Sequence, residues 1–396
     1  MTTATACQPT PSEAWFMGSC GALFSFAMGL SAVAIPLYAL ARGITAAEIG
    51  MLVAFSAAAQ LAMRSVMGRL LRRVADKHFI VAAGALMAMS CALLVGSPAW
   101  WAFLLSQVAQ GAARGVFWTG GQVHVVRTHD SSVTAIARMN LTSGVGQTLG
   151  PLAAGPLIAH GSALWALGVA ALAALAAMIP AALLVRLDPP RPARRTKAGQ
   201  HRPGAADVAP GVGLASWAGA VAGAWRSMMN SFVPVVLAEV GHAAPAIGAV
   251  TAAANLASIA GSSVVTWIRL ARLAPVLVLS IALTGVGLAG FAGLAQWLGA
   301  AAVALFVSGI AAGLLQTAGP ALASESVLVD ERGEALAKAG TYRAAALLAA
   351  PLLVSGLVGL MATPMAVVVL GGLMAGPVVL ARGRSSPTME PKEGEP

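Results

Sequence analysis

The sequence predicts an all-α membrane protein with twelve transmembrane helices in two pseudo-symmetric six-helix bundles. Three observations predict it. Of 396 residues, 58% are hydrophobic and only 10% charged, whereas a soluble domain carries about a quarter charged residues. No Asp, Glu, Lys or Arg occurs in Ala14–Ala41, His78–Ala113, Met139–Val185 or Leu273–Ser324. One span needs about 20 apolar residues, so the two longest stretches must each hold a helical pair. Finally, the chain matches itself at an offset of 198. Pro36, Gly43, Ile49 and Gly50 fall on Pro234, Gly241, Ile247 and Gly248, and Gly111, Gly115 and Thr119 fall on Gly309, Gly313 and Thr317.

Taken in order, a tail over 1–12 precedes the first bundle, 13–186, with spans near 14–40, 47–68, 79–97, 100–123, 135–160 and 163–185. The first apolar run is too long for a signal-peptide core and is retained as a helix. A Pro-rich basic segment, 187–212, carries Arg191, Arg194, Arg195, Lys197 and Arg202 and reads as a solvated linker. The second bundle, 213–382, has spans near 213–238, 246–267, 274–295, 297–322, 336–360 and 363–381, and 383–396 is a second tail. Arg69, Arg72, Arg73, Lys77, Arg127, the linker cluster, Arg269, Arg272, Arg332, Arg382 and Arg384 all fall on one side, with Arg42 opposite. The positive-inside rule makes that side, and both termini, cytoplasmic. Trp100, Trp101 and Trp297 start helices on the other side, as interfacial anchors or core.

The net charge of +10 is spread between apolar segments, which excludes a folded nucleic-acid-binding surface and fits a topology signal. Cys7, Cys20 and Cys91 form neither an even set nor a metal spacing, and the histidines at 78, 124, 129, 160, 201 and 242 are scattered. No metal site or cofactor is expected. His124 and His129 are expected on a solvated loop face. No nucleotide-binding loop, metal cluster or nucleophile motif is present, so the chain is not expected to be an enzyme.

Two repeated bundles joined by a linker are a transporter architecture, and here the chain resembles the major facilitator superfamily. That family's loop pattern between helices two and three, G-x-L-x-D-R-x-G-R-K, is matched at Gly68, Leu70, Arg73 and Lys77, while Arg72, Ala75 and Asp76 depart from it. In helix five, Gly146, Gly150, Pro151 and Gly155 look like the signature of drug–proton antiporters of the superfamily. Helix four reads Gln107-Val108-Ala109-Gln110-Gly111, similar to the family's R-x-x-Q-G, with Gln107 where arginine is expected. The resemblance implies the major facilitator fold, a gating or conformational role for Gly68, Arg72, Arg73, Asp76, Lys77, Gly146, Gly150, Pro151 and Gly155, and a cavity lined by helices one, four, seven and ten.

Arg114 and Arg226 lie near mid-span, where an arginine costs about 2.5–3.5 kcal/mol on insertion scales and so should face a bundle interior or wet cavity. Gln107, Gln110, Arg114 and Trp118 share a helical stripe. Arg226 shares a face with Asn230, and Gln316 lies on the glycine face of its helix. The candidate substrate site is therefore Gln107, Gln110, Arg114, Phe117, Trp118, Arg226, Asn230 and Gln316, the aromatic pair stacking on an apolar part. The competing reading makes both arginines structural locks. Arg64, Arg138 and Arg343 are read as snorkelling. Every carboxylate can be placed outside the apolar interior, and Glu325, the least peripheral, is the candidate for coupling to a proton or other ion.

The expected function is secondary transport of a small organic molecule across a bacterial inner membrane by alternating access, as a monomer. Efflux of a drug or metabolite leads. Organic-anion uptake or exchange, and a non-transporting sensor or assembly factor on the same fold, stand as alternatives.

Overall fold

The computed structural model describes residues 11–128, 132–187, 189, 210–269, 272–328 and 331–383. Most of the expected linker and both expected tails, with His129, lie outside them. The described residues form thirteen α-helices and one 3₁₀ turn, Val265–Trp267. The first half holds α1 (Pro11–Ala41), α2 (Ala46–Leu70), α3 (Asp76–Gly96), α4 (Trp100–Thr128), α5 (Ser132–His160) and α6 (Ala163–Leu183). The second holds α7 (Pro210–Met229), α8 (Phe232–Glu239), α9 (Ala244–Val264), α10 (Leu273–Gly293), α11 (Leu298–Glu325), α12 (Arg332–Val358) and α13 (Thr363–Gly383). Helices α7 and α8 together make one interrupted span, so thirteen helices give twelve crossings. Eight helices are long and apolar enough to cross a membrane by length and composition.

The break falls at Asn230–Ser231, where Ser231 adopts φ −132°, ψ −80°. Pro234 has no N–H to return to the Asn230 carbonyl, so the helical ladder loses a rung there. The equivalent Pro36 sits inside the unbroken α1.

The repeat recurs in three dimensions. Gly43 and Gly241 are the positive-φ glycines among the described residues, at +79° and +90°. Each ends the first span of its half with the same two bonds: Gly43 N–H to Leu40 and Ile44 N–H to Ala39, Gly241 N–H to Ala238 and His242 N–H to Leu237, all 3.0 Å. This is a glycine C-terminal stop, which only a residue tolerant of left-handed backbone adopts without strain. Gly111 of α4 packs on Ser56 and Ala59 of α2, and Gly309 of α11 packs on Ala254 and Ala257 of α9, every partner shifted by the same 198. At the start of α2, Thr45 and Glu48 form a reciprocal capping box: Thr45 N–H donates to Glu48 Oε2 (2.9 Å) and Glu48 N–H to Thr45 Oγ1 (3.3 Å).

The halves meet mainly through α5 against α9 and α2 against α12. At the end remote from the arginine-rich loops, Gly155 of α5 lies against Ala244 and Pro245, Gly248 of α9 against the Pro151 carbonyl, and Gly50 of α2 against Phe232 and Ser355. At the arginine-rich end, Gly68 of α2 and Gly340 of α12 have no neighbour within 4 Å of where a Cβ would stand.

Exposed tryptophans ring both ends. Trp100, Trp101, Trp165 and Trp297 start helices at the far end, and Trp15 and Trp267 flank the arginine-rich end. Amphipathic rings settle there at membrane interfaces, so the core alternative for Trp100, Trp101 and Trp297 is not what the structure has.

A Cβ on Gly150 would stand 2.5 Å from both Leu30 N and Phe26 O of α1. Gly150→Leu should therefore prevent α1–α5 packing and abolish the monodisperse peak in size-exclusion chromatography. Gly68→Ala should retain it and gain about 0.5–1 kcal/mol in helix stability.

Candidate functional site

A polar crevice runs between the halves near mid-span. One part is lined by Ser31, Ala32 and Pro36 of α1, Leu52 and Val53 of α2, Gln107, Gln110 and Arg114 of α4, and Asn230 at the α7–α8 break. The adjoining part is lined by Gly29, Gln147, Arg226, Asn230, Thr251 and Asn255. The two share Ala32 and Asn230. The free space is about 10 Å³ in the first and 20 Å³ in the second, room for about one water each, so the crevice is nearly closed in this conformation.

Arginines dominate the chemistry. Arg114 Nη2 donates to Gln110 Oε1 at 2.9 Å, while Arg114 Nε and Gln110 Nε2 are buried donors without a protein acceptor. Arg226 Nη1 donates to Gln147 Oε1 (3.1 Å) and Asn255 Oδ1 (3.0 Å), and the guanidinium lies 5.3 Å from the Trp225 ring centroid. Asn255 Nδ2 donates to the Gln147 carbonyl at 3.0 Å. Gln147 belongs to the first half and Arg226 to the second, so this cluster ties the halves together. Arg343 of α12 donates to Gln316 Oε1 at 3.2 Å, and Gln316 Nε2 donates to Ser258 Oγ at 3.2 Å. Arg226 lies within electrostatic reach of both Arg114 and Arg343, and Arg343 within reach of Arg64. Among the described residues, the partners of these central arginines are neutral amides and one ring. Ion pairs are found elsewhere, among them those on His124, Arg127 and Arg332.

Of the residues expected from sequence, Gln107, Gln110, Arg114, Arg226 and Asn230 come together in this crevice. Phe117 does not: it is fully buried and stacked on Phe24 at 4.1 Å, inside the first bundle. Trp118 packs edge-on to Phe117 at 5.6 Å against the core. The stripe containing both spans more than one packing surface. Gln316 holds Arg343 in place. Arg343 corrects the snorkelling expectation: its guanidinium turns to Gln316 and joins the central cations. Gln147 and Asn255 were not expected, though each is an amide in an apolar stretch of helix, Asn255 the lone one of α9, which is the signal that could have singled them out.

The glycines of α5 serve packing: Gly146 and Gly150 against α1, Gly155 against α9, with Pro151 inside the helix. Gly68 in the last turn of α2, and Arg72 and Arg73 in the loop after it, are exposed. Asp76 is buried, at 1% exposure, and Lys77 Nζ donates to the Ala182 and Leu184 carbonyls at the end of α6 (3.0 and 2.9 Å). Glu325, the residue expected to couple, has a side chain 43% exposed and 3.5 Å from Arg332. Two further corrections concern the arginine-rich end. Glu13 and Asp76 are interior carboxylates, and His124 is fully buried between them rather than on a solvated face.

The family model of the Major Facilitator Superfamily matches residues 17–226, just over half of the chain. A search of curated proteins finds no match. Among solved structures, the chain is similar to a mutant of the nucleoside transporter NupG, with TM-score 0.73 and 12% identity over 93% of this chain and 97% of that one. It is similar to a bacterial homolog of the human lysosomal transporter Spinster in an inward-facing, unoccupied conformation, with TM-score 0.70 and 14% identity over 93% and 95%. It is also similar to a POT family transporter in complex with 5-aminolevulinic acid, with TM-score 0.74 and 11% identity over 95% and 96%. At these identities the likeness establishes the fold.

Gln147→Ala should remove the first-half acceptor of Arg226. Thermal unfolding in detergent should show a loss of about 1.5–3 kcal/mol, the worth of a hydrogen bond to a charged group. Gln147→Ala and Asn255→Ala combined should cost less than their sum, because both act on one guanidinium.

Proposed function

Because the chain belongs to the Major Facilitator Superfamily, we propose that it is a secondary transporter whose central crevice accepts a small organic anion. One observation carries this reading: Arg114, Arg226 and Arg343 lie in the central region with neutral amides and one indole ring as their partners and no counter-charge among the described residues. Cations held in an apolar bundle without counter-charge are costly, and a carboxylate or phosphate ester entering the crevice supplies what the protein does not. Arg114 Nε and Gln110 Nε2 are oriented donors awaiting an acceptor, and guanidinium groups bind such oxygens in two-pronged fashion.

The physical cycle follows from the packing. The far end is closed by the α5–α9 and α2–α12 seats, and the Arg226–Gln147–Asn255 tie crosses the centre. An anion competing for Arg226 loosens that tie and lets the two bundles rock about the crevice. The proposed setting is a bacterial inner membrane with the arginine-rich end cytoplasmic, where the positive-inside rule puts it. The α5 signature is accounted for by packing that either direction of transport needs, so it does not favour efflux. Solute or ion gradients set the net flow.

The test is flux into liposomes carrying the purified protein, with panels of carboxylates, phosphate esters, organic cations and neutral compounds, with and without a pH gradient. Anion flux should appear and fall about tenfold or more in Arg226→Ala and Arg114→Ala, as loss of one charge-assisted bond implies. Flux of cations or neutral compounds, unchanged in both variants, would make the arginines structural locks.

A further inference from the structure

The arginine-rich end holds a buried cluster that the central crevice does not use. His124, near the end of α4, has zero exposure, and a carboxylate faces each ring nitrogen. Nε2 is 2.7 Å from Glu13 Oε1, in the first turn of α1. Nδ1 is 3.3 Å from Asp76 Oδ1, at the start of α3, but makes no well-formed hydrogen bond and is buried. Val185 N–H, just beyond α6, donates to both Glu13 oxygens at 3.1 and 3.3 Å. Four helix ends therefore converge on one imidazole.

Proton counting constrains this arrangement. A neutral imidazole donates from one nitrogen and presents a lone pair at the other. Between two carboxylates, that lone pair would point at a negative oxygen in a buried setting, where unpaired charge and unsatisfied acceptors are most costly. The geometry calls for one more proton, held as imidazolium between two carboxylates. Losing it takes the triad from one net negative charge to two, with Arg127, 3.4 Å from Asp76 Oδ2, to offset them. Other charges stand at this end among the described residues. Lys77 on α3 is engaged with the α6 carbonyls, and Arg72, Arg73, Arg138 and Arg186 are exposed.

We propose that Glu13, His124 and Asp76 form a proton-binding site, separate from the anion crevice, whose single proton ties together the arginine-rich ends of α1, α3, α4 and α6. Helices α1 and α4, together with α2, line the first part of the crevice. Proton release frees the ends of α1 and α4, so the first bundle responds to pH on the side proposed to be cytoplasmic.

The test uses full-length protein in lipid nanodiscs, with ¹⁵N-histidine and with His124→Gln to assign the signal. At pH 7 both His124 nitrogens should carry protons, and one should leave in a single step as pH rises. In hydrogen exchange corrected for the intrinsic rate, protection of the Glu13–Cys20 segment and the end of α4 should fall about tenfold across that step. In His124→Gln those segments should exchange independently of pH. Glu13→Gln, which keeps size and hydrogen bonding, provides the same comparison if His124→Gln does not fold, and should release the His124 proton at lower pH. A neutral His124 at pH 7, or the same pH dependence in wild type and variants, would overturn the proposal. Neither readout requires a transported anion, so failure here is distinguishable from failure of the central site.

Discussion

Backbone-to-backbone contact between helices is the constraint on which the rest of this molecule depends. Lipid tails are as apolar as leucine, so spans gain little by hiding apolar side chains from lipid and must associate through close packing. Glycine at the crossing points makes that possible: Gly111 and Gly115 of α4 against α2, Gly309 and Gly313 of α11 against α9, and Gly146 and Gly150 of α5 against α1. Because the first two pairs are copies of one another, the halves have the same internal geometry. The polar faces of α1, α4 and α7 are thereby turned toward the joint between them.

At that joint the electrostatics run against the usual economy of membrane interiors, where buried charges occur in opposed pairs. Here guanidinium groups are held by Gln110, Gln147, Asn255 and Gln316, neutral side chains that orient an arginine without cancelling it. The opposite arrangement holds at the arginine-rich end, where carboxylates outnumber the histidine between them and Arg127 makes up the difference. The protein thus separates its two ionic chemistries along the membrane normal.

Much of this was legible in the sequence because it depends on period and spacing. Uncharged runs gave the spans, one offset gave the repeat, and an arginine amid apolar residues had to face inward. What escaped depended on neighbours far along the chain. Arg343 lies close enough to a helix end to look like a snorkelling residue, yet Gln316 on α11 holds it at the centre. Glu13, Asp76 and His124 each look peripheral one at a time, and their burial follows only from four helix ends meeting. Phe117 and Trp118 share a stripe with Arg114, but a stripe about 100° wide touches more than one neighbour, and Phe24 claimed Phe117.

The interruption at Asn230–Ser231 turns the seventh span into two rods with a swivel between them. Its outer rod, α8, is wedged by Phe232 against Gly50 of the other half, while α7 carries Arg226. Torque on α7 need not be transmitted to α8, as it would through an unbroken helix. The plug at one mouth can therefore stay seated while the long rod tilts at the other. The first span carries its proline inside one unbroken helix. The two halves, alike in blueprint, are unlike in stiffness.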